Sequence, residues 1–328
     1  MRCLVTGGAG YVGSHVAQEL LDRGHQVVVL DNFSTGHRKA IPVGAELREV
    51  DLGNVEETKY LLAKEKWDVV LHFAALSLVG DSMNDPCHYL KRNTETSLNL
   101  IQACVEGGVK KFIFSSTAAL FGGENRVVPI PDDAGIEPGS PYGESKFFIE
   151  RALKWADKIY GLKFACLRYF NAAGADIHGR LGEDHRPETH LIPLAIDAML
   201  GRRPLLKIFG SDYPTNDGTC VRDYIHVNDL ADAHIRSIDQ LEHKSVTYNL
   251  GNGRGFSNLE IVRGIERVSG RSVPWEWGES RIGDPAVLIA DSSRIRKETG
   301  WNPKYSSLDD IIGTALHWRE KNPQGYNE

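Results

Sequence analysis

The sequence predicts an α/β fold, a Rossmann-type doubly wound parallel sheet with a smaller mixed α/β C-terminal domain that binds substrate. Three observations carry this. Short apolar runs alternate with amphipathic helical patterns through the first half of the chain; the first run opens into glycines at Gly7, Gly10 and Gly13; and the second run ends on a carboxylate, Asp31. Apolar runs without polar alternation are expected of strands buried on both faces, and their alternation with helices produces a parallel sheet covered on both sides.

Taken in order, the strands are expected at Leu4 to Thr6, Val27 to Leu30, Glu46 to Val50, Val69 to Phe73, Phe112 to Ser115 and Phe164 to Tyr169. The first is followed by the glycines and an amphipathic helix reaching Asp22. Two longer helical segments, Pro86 to Glu106 and Pro141 to Tyr160, carry partly apolar faces suited to a core or a subunit interface. Ligands in such sheets bind beyond the carboxyl ends of the strands. Gly7, Asp31, Asp51, Ala74, Thr117 and Asn171 follow strands and are expected to line one crevice. After residue 173 the texture changes to an irregular stretch, Gly174 to Thr189, and then to short elements with scattered prolines. The expected division is 1–173 for a dinucleotide-binding domain and 174–328 for a substrate domain, with some later segments returning to the first.

The glycine spacing differs from G-x-G-x-x-G but serves the same end, bringing bare backbone to a pyrophosphate at a helix N-terminus. Asp31 falls where such folds hydrogen-bond the adenosine ribose, and its charge would repel a 2′-phosphate, which favours NAD. Arg38 and Lys39 nearby keep a phosphorylated cofactor open.

Composition suits a soluble enzyme. The chain has 328 residues, 41% hydrophobic and 25% charged, with a formal net charge of −6. That balance argues against general affinity for nucleic acid or anionic membranes. No run is long enough to cross a bilayer, and the first strand starts at once, so neither a membrane span nor a signal peptide is expected. Five widely spaced cysteines, Cys3, Cys87, Cys104, Cys166 and Cys220, suit a reducing, cytoplasmic setting. There is no CxxC or HExxH; His185 and His190 stand five apart in a polar loop, and no metal site is expected.

The chemistry is carried by Tyr142 and Lys146. On a helix the two share a face, which would place the ammonium beside the phenol. One charge at roughly 4 Å and an effective dielectric of about 20 is worth ~4 kcal/mol, or roughly three pK units, enough to bring a phenol from near 10 towards neutrality. The expectation is a proton-moving Tyr142 activated by Lys146.

With these pieces in view, the chain resembles the extended short-chain dehydrogenase/reductase family, and within it the UDP-glucose (UDP-galactose) 4-epimerases. The likeness runs from the glycine turn to His317-Trp318 and Asn322 to Tyr326. Its most specific parts are Leu167 to Asn171, Phe209 to Thr215 with Asp217 to Thr219, and Val221 to Val227. The resemblance implies a catalytic set of Thr117, Tyr142 and Lys146. It implies NAD held by Gly7, Gly10, Tyr11, Val12 and Gly13 at the pyrophosphate, Asp31 and Asn32 at the ribose, and Asp51 and Leu52 at the adenine. Phe73, Ala74, Ala75, Asn93, Ser115, Tyr142, Lys146 and Tyr169 complete the implied groove. A UDP-sugar would be met by Thr117, Tyr142, Asn171, His190, Leu191, Phe209, Arg222, Arg281, Asp284 and Leu288, the two arginines suiting a diphosphate.

The implied reaction removes the 4-hydroxyl proton through Tyr142 and the C4 hydride to the cofactor, then returns the hydride to the other face of a 4-keto sugar. UDP-glucose and UDP-galactose are the default pair, with UDP-pentoses, UDP-N-acetylhexosamines and a non-catalytic nucleotide-binding regulator as alternatives. Related dehydratases carry an Asp-Glu pair after the Thr, where this chain has Ala118 and Ala119. Ser77, His190, Thr117 and Leu288 depart from the best-known epimerase pattern, putting substrate identity rather than catalysis in question. Relatives dimerise through helices corresponding to 86–106 and 141–160, so a homodimer is implied.

Overall fold

A computed structural model describes residues 1–123, 127–280 and 284–327. The chain opens with β1 (Arg2–Thr6), α1 (Tyr11–Asp22), β2 (Gln26–Asp31), β3 (Glu46–Glu49), α2 (Val55–Lys64) and β4 (Val69–His72). A short α3 (Val79–Asn84) leads to the long α4 (Pro86–Glu106), then β5 (Lys111–Thr117), α5 (Pro141–Tyr160), β6 (Lys163–Tyr169) and β7 (Asn171–Ala173). Both long helices begin as the sequence dictates. Asp85 and Ser140 cap α4 and α5 by accepting the N–H groups of His88 and Gly143, and a proline follows each cap. Gly161, at φ +72°, closes α5 in the left-handed conformation that glycine adopts without strain.

The second half runs through α6 (Leu191–Met199), β8 (Leu206–Phe209), β9 (Val221–His226), α7 (Val227–Gln240), β10 (Val246–Leu250), β11 (Gly255–Ser257) and α8 (Asn258–Ser269). It ends with β12 (Trp275–Gly278), β13 (Val287–Leu288), α9 (Ser293–Thr299) and α10 (Leu308–Lys321).

Seven strands form one parallel sheet in the order β10-β6-β5-β4-β1-β2-β3. Leu4 lies between Val28 and Val70 in register, so the pure apolar runs are central strands. One face buries Val5, Val16, Leu20, Val27, Leu230, Tyr248 and Trp301; the other buries Leu4, Leu62, Leu100, Phe112, Phe114, Ile149 and Leu153. A third core joins α6, α8 and α10 through Ile196, Ile208, Ile261, Ile265, Ile312 and Leu316, beside small sheets built on β9 and β8. Each fully buried Leu or Ile in these layers contributes about 1.5–3 kcal/mol.

Two details position the site. Strand order reverses between β1 and β4, which opens a crevice above their carboxyl ends. The first sheet also takes back β10, with α7 on its face, from beyond residue 174.

Candidate active site

At the β1 turn, Gly7 has φ +71°, and a Cβ there would lie 2.5 Å from the backbone nitrogen of Ala74. A Cβ on Gly13 would come within 2.2 Å of the Gly7 carbonyl oxygen. These two glycines let β1, the end of β4 and α1 touch. Gly10 caps α1 with no side-chain acceptor, and the first turn has no acidic residue, which leaves N–H groups and the helix dipole for an anion. Tyr11 and Val12 stay partly exposed, with the Tyr11 hydroxyl donating to the Gly174 carbonyl at 2.7 Å.

Asp31 is 7% exposed, and its carboxylate accepts the N–H groups of Ala9 at 3.0 Å and Phe33 at 2.9 Å. Burial raises its pKa and those N–H groups oppose the rise. Asn32 donates to Asp51 at 2.8 Å, and Arg92 holds the same carboxylate; Leu52 packs into the core. Arg38 pairs with Glu49 and Lys39 donates to the Asn327 carbonyl. Phe73, Ala74 and Ala75 remain partly exposed along the β4 edge. The residues present fit a dinucleotide whose adenosine ribose carries free hydroxyls.

Asn93 joins the loop after β4 to α5. It is 1% exposed, and its amide is spent on the backbone N–H and carbonyl of Leu76, at 2.8 and 3.0 Å, and on the Ser145 hydroxyl at 3.1 Å.

Tyr142 sits in the first turn of α5 and Lys146 one turn later, while Ser115 and Thr117 lie on β5. Thr117 stands close enough to the Tyr142 phenol to lower its pKa, and Ser115 and Tyr169 share a 2.6 Å hydroxyl contact. Lys146 is 2% exposed and donates to the Ser115 carbonyl at 2.9 Å; its Nζ stands 5.7 Å from the Tyr142 ring centre and 4.9 Å from that of Phe114.

In the cofactor-free chain burial dominates both groups. Burial, with Tyr169 adding to it, pushes the Tyr142 phenol well above 10 despite Thr117, and burial lowers Lys146 to about 7. The sequence argument placed a full charge 4 Å from the phenol oxygen. In the cofactor-free chain the ammonium donates to the Ser115 carbonyl, and burial is the largest cause of both shifts.

Behind this set stands an ion pair that sequence reasoning missed. Glu150, one turn after Lys146, accepts Arg168 Nε at 2.9 Å, Arg168 Nη2 at 2.7 Å and the Ser116 hydroxyl at 2.7 Å. It fastens α5 to the ends of β5 and β6.

On the other side of the crevice, Asn171 pairs with Tyr224 across β7 and β9, and Leu288 pairs with Arg222 across β13 and β9. Leu288 also packs against the cluster of Ala118, Phe121, Ile130, Phe170 and Ala290, next to Thr117. Arg222 binds Asp284; its sequence neighbour Asp223 instead accepts backbone N–H groups of Asn252, Gly253 and Ala290. Phe209 ends β8, and His190 and Leu191 begin α6. Arg281 lies outside the described residues.

His190 is engaged with Glu183 and Glu188, as is His185. Although burial opposes a charged ring, these carboxylates push His185 up to about 9 and His190 up to about 10. The two glutamates were not singled out in the sequence; their alternation with the histidines through 183–190 was the available signal.

Residues 3–251 match the NAD dependent epimerase/dehydratase family. A UDP-glucose 4-epimerase of Lacticaseibacillus casei is 47% identical over 100% of this chain and 99% of its own length. Among solved structures, a UDP-glucose 4-epimerase superposes with a TM-score of 0.97 at 44% identity, covering 100% of both chains. The Brucella ovis UDP-glucose 4-epimerase in complex with NAD gives 0.93 at 43% identity, over 97% of this chain and 98% of that one. The chain belongs to the NAD dependent epimerase/dehydratase family.

Proposed function

We propose that the chain is an NAD-dependent UDP-sugar 4-epimerase that interconverts UDP-glucose and UDP-galactose through a 4-keto sugar. The observation that carries this is Tyr142, Thr117 and Lys146 gathered at the strand ends beside the glycine turn, with no acid at Ala118 or Ala119 to drive elimination. Full-length likeness to proteins named UDP-glucose 4-epimerase supports it.

Gly7, Gly10, Tyr11 and Val12 would hold the NAD pyrophosphate, Asp31 and Asn32 the ribose, Asp51 the adenine end, and Ser115, Lys146 and Tyr169 the nicotinamide end. When bound, NAD supplies reversible oxidation at the sugar C4. Tyr142 takes the proton from the 4-hydroxyl and later returns it, and Thr117 orients that oxygen. Arg222 anchors the diphosphate, exchanging its bond to Asp284 for phosphate oxygens, while Asn171, Leu191 and Phe209 bound the sugar and uridine. Residues 1–173 would serve the cofactor and 174–328 the UDP-sugar, apart from α7 and β10. Incubating the purified chain with UDP-galactose and separating the 4-epimers tests this; no UDP-glucose formed at micromolar enzyme would refute it.

Leu90 and Leu98 of α4 and Phe148, Trp155 and Ile159 of α5 are exposed. With the family resemblance, they support a homodimer across these two helices, and a monomer in sedimentation at micromolar concentration would refute that. No described helix is long and apolar enough to cross a membrane, and all five cysteines are free; the thiols support a cytoplasmic location.

A further inference from the structure

The loop before α6 gathers four metal-ligating side chains. Glu183, His185, Glu188 and His190 each offer one donor atom, and these atoms lie within 4.8 Å of one another. His190 Nδ1 stands 2.9 Å from Glu183 Oε1 and 3.0 Å from Glu188 Oε1. His185 Nδ1 stands 3.3 Å from Glu183 Oε1 and 3.6 Å from Glu188 Oε2. Zinc binds imidazole nitrogen and carboxylate oxygen at about 2.0–2.2 Å, and a tetrahedron of that radius has edges of about 3.4 Å. The nitrogen–oxygen separations, which involve both oxygens of Glu188, run from 2.9 to 3.6 Å and bracket that value. An ion would need only small side-chain adjustments.

A second observation points the same way. Glu183 is 6% exposed, and neither its Oε1 nor His185 Nδ1, both buried, has a partner in hydrogen-bond geometry despite their closeness. Of the four short contacts, the one between His190 Nδ1 and Glu188 Oε1 is a hydrogen bond. Both atoms are ion-paired without a directed hydrogen bond in the metal-free chain, and a central cation would displace the imidazole protons and use the lone pairs of both. The carboxylate of Glu188 is already oriented by the N–H groups of Thr189 at 2.8 Å and His190 at 2.9 Å and by Arg319 at 3.2 Å, the kind of support that metal ligands receive.

We propose that Glu183, His185, Glu188 and His190 form a structural site for a divalent transition-metal ion of the zinc class. Two imidazoles exclude the all-oxygen preference of calcium and magnesium, and four protein donors leave no open position for a substrate. The ion would clamp the irregular 183–190 segment to the start of α6. The Tyr11 ring packs edge-on against His185 at 6.1 Å, so the clamp would brace the glycine turn as well. Ligation through Nδ1 leaves Nε2 of the half-exposed His190 free for other contacts. The inference does not depend on the epimerase reading.

The test is a titration of the chelator-stripped full chain with Co2+, then Zn2+. We expect one equivalent of Co2+ to give visible bands of tetrahedral intensity and one equivalent of Zn2+ to erase them. Glu183→Gln and His185→Asn should each weaken Zn2+ binding at least about tenfold, whereas His178→Asn, in the same loop but outside the cluster, should leave it unchanged. Absence of a stoichiometric band in the unmodified chain overturns the site without reliance on any variant. So does binding that is equal in all three variants, which would mark adventitious surface metal.

Discussion

Replacing Glu150 by alanine should destabilise the chain and slow it together, because one buried carboxylate holds three partners. It is fully buried, and the Arg168 side chain is 4% exposed. The variant loses the two guanidinium bonds at 2.9 and 2.7 Å and the Ser116 bond at 2.7 Å, leaving Arg168 with the Asp132 carbonyl at 3.0 Å. Removing one member of a buried pair strands the other charge away from water, which costs about 3–5 kcal/mol. That is a large share of a total stability of about 5–15 kcal/mol. At ~2–4 °C per kcal/mol for a chain of this class, the melting temperature should fall by about 6–20 °C. Glu150→Gln should lose less, since it keeps the shape and one acceptor. The paired change Glu150→Leu with Arg168→Met should recover most of the loss, because no charge remains stranded. Ser116 lies between Ser115, whose carbonyl holds Lys146, and Thr117, which stands near the Tyr142 phenol. We therefore expect kcat to fall more than KM rises in Glu150→Ala. Scanning calorimetry and steady-state kinetics read the two effects. A drop under 2 °C with unchanged kcat, or a paired variant no better than the single one, would refute the reasoning.

Tyr142→Phe removes the phenol oxygen and keeps the ring, so NAD retention should survive while kcat falls at least ~100-fold; activity within threefold of wild type would remove Tyr142 from the mechanism. Asp31→Ala should weaken NAD retention and narrow the preference over NADP, and an unchanged preference in cofactor titrations would mean the ribose contact is misassigned. Lys146 is lowered from 10.5 to about 7, so in the cofactor-free chain the unfolded state binds more protons between those values and stability should rise with pH through that window. Lys146→Met lacks this slope, and its advantage over wild type should be largest below pH 7 and shrink towards pH 10 in urea melts; parallel curves would contradict the burial argument. Leu288→Ser should raise turnover of UDP-N-acetylglucosamine relative to UDP-glucose and Leu288→Tyr should lower it, on the scale of about 10–200-fold for a pocket differing by a methylene or more. Ratios of kcat/KM within twofold in both variants would leave Leu288 as packing alone.

The sheet was legible because its strands are buried on both faces, so Leu4 to Thr6 and Val27 to Leu30 read as uninterrupted apolar runs. Both long helices were legible because proline and a capping side chain mark their starts. The return of β10 to the sheet was not readable from local pattern: Val246 to Leu250 carries Thr247 and Asn249 amid its apolar residues. What makes it a central-sheet strand is its pairing with β6, more than seventy residues earlier in the chain.

The site shows the same limit at the scale of atoms. Periodicity placed Tyr142 and Lys146 on one helix face, and that was sound, but it said nothing about the neighbouring strand. The carbonyl of Ser115 captures the ammonium, and the surrounding protein removes the water that either charge would need. In the cofactor-free chain, proximity on the helix leaves the phenol raised by burial. The shift depends on what the opposite strand offers, and β5 offers Thr117 to the phenol and a carbonyl to the lysine. The histidine loop was hidden for the converse reason. His185 and His190 were visible, but their partners Glu183 and Glu188 look like ordinary solvent-facing acids until the loop folds back beneath Tyr11 and Arg319. Chemistry built on a helix or strand leaves a period in the sequence. Chemistry built on a loop leaves only residue types, and its geometry follows from the surfaces that confine it.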